Sequence, residues 1–220
     1  MKTIFLVRHA TAAERAQSTP DFARPLIEKG IKESKKVASA LKEMDIKPQI
    51  IVSSPAKRAV QTAEIFAKTF RYAQADIILD QTIYDATDGK LFLLSIQKLD
   101  DKKDNVFIFG HEPTISEFAS SLLENFQEGL PKTGVVGITF TVEHWRAIKK
   151  NQGTINFIHF PKNKAISRKM LKKSIEGKIQ SEIQEILNGI HLQKAKSVSK
   201  TISKASKNIA KKFMKQIEKK

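Results

Sequence analysis

The sequence predicts an α/β domain with a largely parallel sheet, followed by a basic helical extension. Short apolar runs alternate with amphipathic segments through the first 160 residues, the pattern of strands and helices in such a sheet. All aromatic residues but Phe213 lie in this part. The last sixty residues hold 17 Lys and Arg against 4 Asp and Glu. This change of composition near residues 161–164 predicts a domain boundary, with domains 1–164 and 165–220.

The predicted strands and helices follow one another along the chain. The strands are short and rich in Ile, Val and Phe, and the strongest are continuous apolar runs, as in strands buried on both faces. They are predicted at residues 4–7, 49–52, 76–79, 105–109, 134–142 and 154–160. Helices are predicted at residues 27–44, from Pro55 through Phe66, at residues 91–99, and after Pro113 as far as residue 123. The helix that begins at Pro55 has Ser as its N-cap and Pro in its first position.

Composition excludes several classes of protein. The chain of 220 residues has no cysteine, which excludes disulfides, cysteine-based zinc sites and a cysteine nucleophile. No apolar run approaches the roughly 18–20 residues that cross a bilayer, and the N-terminal residues do not form an export signal. We therefore expect a cytoplasmic protein. The net charge of +16 suggests a polyanionic partner. However, the first 160 residues hold 22 Lys and Arg against 19 Asp and Glu, so most of the excess lies in the extension.

Polar residues follow three of the predicted strands. Arg8 and His9 come directly after the first strand, and His111 follows the strand at 105–109. Arg58 lies one turn into the helix after the second strand. Ligands of open α/β sheets bind beyond the carboxyl ends of the strands, and both arginine and a helix N-terminus, here at residues 54–56, favour phosphate oxygens. These four side chains are therefore expected to form one phosphate-binding pocket.

These residues also carry a family resemblance. Arg-His-Ala-Thr at 8–11, Ser-Ser-Pro-x-x-Arg-Ala-x-Gln-Thr-Ala at 53–63, Gly-His-Glu-Pro at 110–113 and Asp-Phe-Ala-Arg-Pro-Leu with a following Gly at 21–30 resemble the motifs of the histidine phosphatase superfamily. This superfamily shares its fold with the cofactor-dependent phosphoglycerate mutases. The similarity is greater to the small SixA-type phosphohistidine phosphatases and covers about residues 1–164. It implies a three-layer sandwich with a mostly parallel central sheet.

The resemblance implies a role for each pocket residue. His9 is expected to be the nucleophile that forms a phosphohistidine intermediate. Arg8, Arg58 and His111 are expected to surround the phosphoryl group, with Thr11 adding a hydroxyl. No cofactor and no metal are expected. The substrate is expected to be a phosphohistidine-bearing protein, with a small phosphate ester as the alternative.

Further candidate residues surround this set. Asp85 is the first candidate for the general acid and Asp88 the second, although either could instead be a loop or helix-cap residue. Asp21 and Arg24 are expected at the pocket mouth, or as a local pair that holds their loop. Glu112 replaces the small or amide residue usual in the family and is expected to place negative charge near the rim.

The sequence of the extension predicts two amphipathic helices with outer faces rich in Lys and Ser. The first has apolar residues from Met170 to Ile190 and a stop signal at 188–189, and the second has them from Val198 to Ile217. The apolar stripes could pack on each other, on the catalytic domain or on another subunit. The lysines could also bind a polyanion or, less favourably with a single Phe, an anionic membrane. A polyanion-binding protein with an incidental phosphatase fold is thus a further alternative.

Overall fold

All six strands of the structure, a computed structural model, lie in one sheet. The model describes residues 1–18, 20–85, 89–124, 126–161, 164–189 and 195–217. The strands are β1 (Lys2–Arg8), β2 (Ile50–Ser53), β3 (Ile78–Leu79), β4 (Asn105–Gly110), β5 (Val135–Phe140) and β6 (Thr154–His159). Their order is β3-β2-β4-β1-β5-β6. Strands β1 to β4 are parallel, β5 runs antiparallel to β1, and β6 runs antiparallel to β5 and so in the direction of the first four strands. The predicted mostly parallel sheet is confirmed.

Helices cover both faces of this sheet. They are α1 (Glu28–Glu43), α2 (Lys57–Phe70), α3 (Thr82–Asp85), α4 (Gly89–Ile96), α5 (Thr114–Leu122), α6 (Lys164–Gly189) and α7 (Ala195–Ile217). Side chains alternate across a strand, so Phe5 and Val7 of β1 pack with α1 and α2, whereas Ile4 and Leu6 pack with α4 and α5. The three-layer α/β sandwich is therefore confirmed.

The start of α2 differs from the expectation. The helix begins at Lys57 after Ala56, two residues later than predicted, so Pro55 is not in its first turn. The Ser54 hydroxyl accepts a hydrogen bond from the Ala56 N–H at 3.3 Å. The segment before α2 is thus a turn beyond the end of β2, which leaves Ser54 free to face the carboxyl edge of the sheet. The short helix α3 was not predicted from the sequence.

The two C-terminal helices form an outer layer at one edge of the sheet. Helix α6 lies against β6, where Met170 joins the main core and the Ser174 hydroxyl donates to the Ile155 carbonyl at 2.9 Å. Helix α7 packs on α6 through residues one turn apart, namely Ile202, Ser206, Ala210 and Met214. This packed face differs from the expected apolar stripe of α7, since Ile209 and Phe213 are each about half exposed. Helix α6 has neighbours on two sides. Ile190 lies outside the described residues, and none of the described helices is long and apolar enough to span a membrane.

Candidate active site

The backbone around His9 is fixed by three neighbouring segments. The His9 N–H donates to the Gly110 carbonyl at 3.0 Å, and the His9 carbonyl accepts from the Thr133 N–H at 3.4 Å. The following N–H, of Ala10, donates to the Thr62 hydroxyl on α2 at 3.1 Å. His9 therefore sits at the carboxyl end of β1, tied to β4, to the segment before β5 and to α2.

The ring of His9 is buried and has a defined tautomer. Its Nδ1 lies 2.7 Å from the Ala10 carbonyl oxygen, which can only accept, so Nδ1 carries the proton. Burial, followed by the positive surroundings that include Arg58, lowers the pKa of His9 to about 3. At neutral pH the ring is therefore neutral and the lone pair lies on Nε2. The Nε–H of Arg58 donates to that Nε2 at 3.2 Å.

His111 lies beside His9 at the end of β4. The two ring centroids are 5.2 Å apart, and His111 Nε2 lies 2.6 Å from the Ser54 hydroxyl. Burial and then the charge of Arg58 lower the pKa of His111 to about 4, so this ring is also neutral at pH 7. Its buried Nδ1 has no hydrogen-bond partner among the described residues.

Asp21 links the loop before α1 to Arg58. Arg58 donates from Nη1 to the Asp21 carbonyl at 2.5 Å and from Nη2 to Oδ2 at 2.8 Å. Arg24 donates to Asp21 Oδ1 from Nε at 3.0 Å and from Nη2 at 2.7 Å. Burial alone would raise the pKa of Asp21, but these hydrogen bonds and charges lower it to about 2. Asp21 thus both forms the local pair with Arg24 and holds the guanidinium of Arg58 against His9.

A chain of hydrogen bonds holds Arg8. Arg8 Nη1 donates to the Leu130 carbonyl at 2.7 Å, and the Leu130 N–H donates to the Ser116 hydroxyl at 2.8 Å. That hydroxyl donates to Glu112 Oε1 at 2.6 Å. Burial, only partly offset by this hydrogen bond and by Arg8, raises the pKa of Glu112. Glu112 is thus connected to Arg8 through Ser116 and Leu130, and its expected role near the pocket rim stays a prediction.

Comparison with protein families identifies this arrangement. The model of the histidine phosphatase superfamily (branch 1) matches residues 4–91, which include Arg8, His9 and Arg58. The chain belongs to the histidine phosphatase superfamily. An uncharacterised protein of Picosynechococcus is 30% identical over 143 residues, which are 61% of this chain and 83% of that protein.

Solved structures share the fold of this member of the superfamily. A phosphohistidine phosphatase described as SixA from Agrobacterium tumefaciens superposes with a TM-score of 0.61 and 23% identity, over 73% of this chain and 98% of that one. The mycobacterial glucosyl-3-phosphoglycerate phosphatase superposes with a TM-score of 0.50 and 14% identity, over 70% and 97% of the two chains. The identities are low, so these likenesses concern the fold.

Some predicted site residues have their described contacts away from His9 and His111. The Thr11 hydroxyl donates to Glu33 of α1 at 2.9 Å. Asp85 is exposed, and its carboxylate accepts from the Gln81 side chain at 3.0 Å. Asp88 lies outside the described residues. The described contacts of Asp85 thus do not include His9, and its general-acid role stays a prediction.

Three side chains near the two histidines were not singled out as site residues from the sequence. Tyr84 packs edge-on against His111 with ring centroids 5.7 Å apart, and Ser54 contacts His111 as described above. Thr133 is fully buried, has a φ of 60° that is rare for a β-branched residue, and its Oγ1 has no partner in the described chain. Tyr84 adjoins the suspected Asp85, which could have drawn attention to it. For Thr133 the sequence gives no signal, because its place opposite His9 depends on the pairing of β1 with β5.

The described residues offer no metal centre. No group of three histidine or carboxylate side chains within these ranges lies close enough to hold an ion. A separate cleft of about 450 Å³ lies between α6 and the loops next to β6, lined by residues such as Glu128, Gln152 and Lys178. This cleft does not include His9 or His111. The candidate active site is therefore the group of side chains at the carboxyl ends of β1 and β4.

Proposed function

We propose that this protein is a phosphatase that hydrolyses phosphohistidine in a protein, with His9 as the nucleophile. The observation that carries the proposal is the Nδ1–H···O=C bond of His9, which leaves the Nε2 lone pair beside Arg58. Neutral imidazole is a good nucleophile near pH 7. Membership in the histidine phosphatase superfamily supports phosphatase activity, and the shared fold with a SixA phosphatase is in keeping with this substrate.

The reaction has two displacements. In the first, His9 Nε2 attacks phosphorus, a new N–P bond forms, and the N–P bond of the substrate breaks. The substrate imidazole leaves as the neutral ring after taking up a proton from solvent. In the second, water attacks the phosphoryl group on His9, inorganic phosphate is released, and the His9–P bond breaks. The Ala10 carbonyl stabilises the positive ring of the intermediate because it accepts from Nδ1–H throughout.

Positive and polar groups around His9 are proposed to bind the phosphoryl oxygens. Arg58 must give up its hydrogen bond to Nε2 when phosphorus approaches, and its Nε–H can then donate to an oxygen. Three buried polar atoms without a partner among the described residues belong to this region: Arg8 Nε, His111 Nδ1 and Thr133 Oγ1. Buried polar groups are normally hydrogen-bonded. A bound phosphoryl group would supply the missing acceptors, and donors arranged in advance stabilise the transition state.

The carboxylates favour a phosphoramidate over an ester. An ester needs an acid to protonate its leaving oxygen, but Asp21 is ionised at neutral pH and Asp85 is exposed. Imidazole protonated from solvent is a good leaving group without such an acid. The runner-up is a phosphomonoesterase acting on a small molecule, since the mycobacterial protein of the same fold is a glucosyl-3-phosphoglycerate phosphatase. We also propose residues 1–164 as the catalytic domain and 165–220 as a separate extension, with a cytoplasmic location still a prediction from the sequence.

Rates on two substrates test the proposal. The purified full chain is assayed with a phosphohistidine-bearing protein domain and with p-nitrophenyl phosphate. We expect kcat/KM to be far higher for the phosphohistidine, and a phosphoenzyme that is labile in acid and stable in alkali. Equal rates on the two substrates would favour the phosphomonoesterase. Turnover of either substrate without any phosphoenzyme in rapid quench would contradict His9 as the nucleophile.

A further inference from the structure

The lysines of α7 give this helix a high positive charge. Helix α7 contains seven lysines and no acidic residue. We call five of them the lysine face: Lys200, Lys204, Lys207, Lys211 and Lys215. All five side chains are exposed. Among the described residues, no carboxylate lies within ion-pair distance of any of them.

The lysine face is a straight row. Its members are three or four residues apart, so they lie on one side of the helix at about one per turn. From Lys200 to Lys215 the row is about 22 Å long at 1.5 Å per residue. The residues that pack on α6, from Ile202 to Met214, lie on a different side. Contact with α6 thus leaves the whole row open to a partner.

Some lysines elsewhere in the described chain have partners. Lys2 pairs with Asp104 at 2.7 Å, and Lys172 of α6 pairs with Glu176 at 3.4 Å. Like charges one helical turn apart destabilise a helix. An anion laid along the lysine face would remove this repulsion, so binding and helix stability are coupled in α7.

We propose that the lysine face binds a linear phosphate polyanion, either a nucleic-acid strand or inorganic polyphosphate. The row matches an extended chain of phosphates, and each lysine contributes a point charge without the forked geometry that reads bases. Binding is therefore electrostatic and independent of sequence. This surface does not depend on the phosphatase chemistry of His9.

The position of the exposed apolar residues of α7 favours this partner over a membrane. Ile209 and Phe213 are each about half exposed. By helical spacing they lie on the side of α7 opposite Lys207 and Lys211. Ile202, Ala210 and Met214 of the same helix are buried where it packs on α6. A bilayer would have to bury these two side chains and contact the lysines at once, which one orientation of the helix does not allow.

A charge-matched pair of variants tests the lysine face in the full-length protein. In the test variant the five lysines become glutamine: K200Q, K204Q, K207Q, K211Q and K215Q. The control variant removes the same charge from exposed lysines of the catalytic domain: K29Q, K35Q, K36Q, K102Q and K149Q. Binding to a labelled 20-nucleotide oligo(dT) is measured by fluorescence anisotropy from 50 to 200 mM NaCl, with long-chain polyphosphate as competitor. Phosphatase activity confirms that both variants are folded.

We expect the test variant to bind at least about tenfold more weakly than the control at 50 mM NaCl, and its salt slope to be smaller by about 3.5. The helical circular dichroism of the wild type is expected to increase on binding. If polyphosphate displaces the labelled oligonucleotide more effectively than unlabelled oligo(dT) does, polyphosphate is the preferred ligand. If unlabelled oligo(dT) is the better competitor, the preferred ligand is nucleic acid. Equal affinities of the two variants would overturn the proposal. So would binding to vesicles of phosphatidylserine and phosphatidylcholine without binding to either polyanion.

Discussion

Arg58 and Lys211 each carry a positive charge on a helix, yet the protein holds them in different ways. Arg58 is 5% exposed and donates hydrogen bonds to His9 and to Asp21. Lys211 is exposed and has no ion-pair partner in the described chain. The active site thus contains few charges in fixed positions, whereas α7 contains many charges without fixed partners.

This difference separates two kinds of phosphate recognition. A fixed guanidinium is suited to one phosphoryl group at one point, and its effect is greatest where water is excluded. A row of solvated lysines is suited to a long chain of phosphates, and salt screens it strongly. The net charge of +16 alone does not distinguish the two regions, since only the folded structure shows which cations have partners.

The largest expected effect comes from the nucleophile. His9→Asn can keep a polar group near Ala10 but has no imidazole to form the phosphoenzyme. We expect kcat to fall on the order of 10⁴-fold or more, as for nucleophiles that are removed outright, and the acid-labile phosphoenzyme to disappear. Binding to oligo(dT) should be unchanged. Turnover near the wild-type rate would rule out the proposed mechanism.

The next effect compares the two cations directly. Arg58→Ala removes a buried donor to the reacting nitrogen, and we expect kcat/KM to fall about 10²- to 10³-fold. Lys211→Ala removes the same formal charge from the lysine face and should leave kcat/KM unchanged. Steady-state kinetics of both variants at 50 and 300 mM NaCl measure this. A similar decrease of kcat/KM in both variants would mean that net charge, and not the position of the guanidinium, determines phosphate binding.

The sequence predicted the fold well because each signal was local. Continuous apolar runs identify the buried strands β1, β2 and β4. The approach of His9, Arg58 and His111 followed from a general rule about sheet edges. The hydrogen bond between Ser54 and His111 and the place of Thr133 depend on how distant segments are paired, which the spacing of residues does not encode. The two-sided packing of α6 likewise depends on where α7 folds back.

Burial of His111 makes stability depend on pH in the acid range. Its pKa falls from 6.5 to about 4 in the folded protein. Between these values the unfolded chain binds the extra proton, so the free energy of unfolding decreases as pH falls from 6.5 towards 4. Urea unfolding at pH 6.5 and 4.5 should show the wild type losing about 2 kcal/mol more than His111→Gln. For the control variant Lys211→Gln, the free energy of unfolding should decrease as much as for the wild type. An equal decrease in the free energy of unfolding of the wild type and of His111→Gln would show that His111 is solvated.

The smallest expected effect concerns Thr133. Thr133→Val keeps the β-branched shape in the same backbone conformation and removes only a hydroxyl that has no partner in the described chain. Because a buried hydroxyl without a partner is costly, we expect the midpoint of urea unfolding to stay the same or rise. If the hydroxyl donates to the phosphoryl group, kcat/KM should still fall about tenfold, the usual cost of one hydrogen bond to a charged group. Thr133→Ser should retain most of the activity, since it keeps the hydroxyl. A Val variant that is as active as the wild type would remove Thr133 from the phosphate-binding set and leave Arg8, Arg58 and His111 as its members.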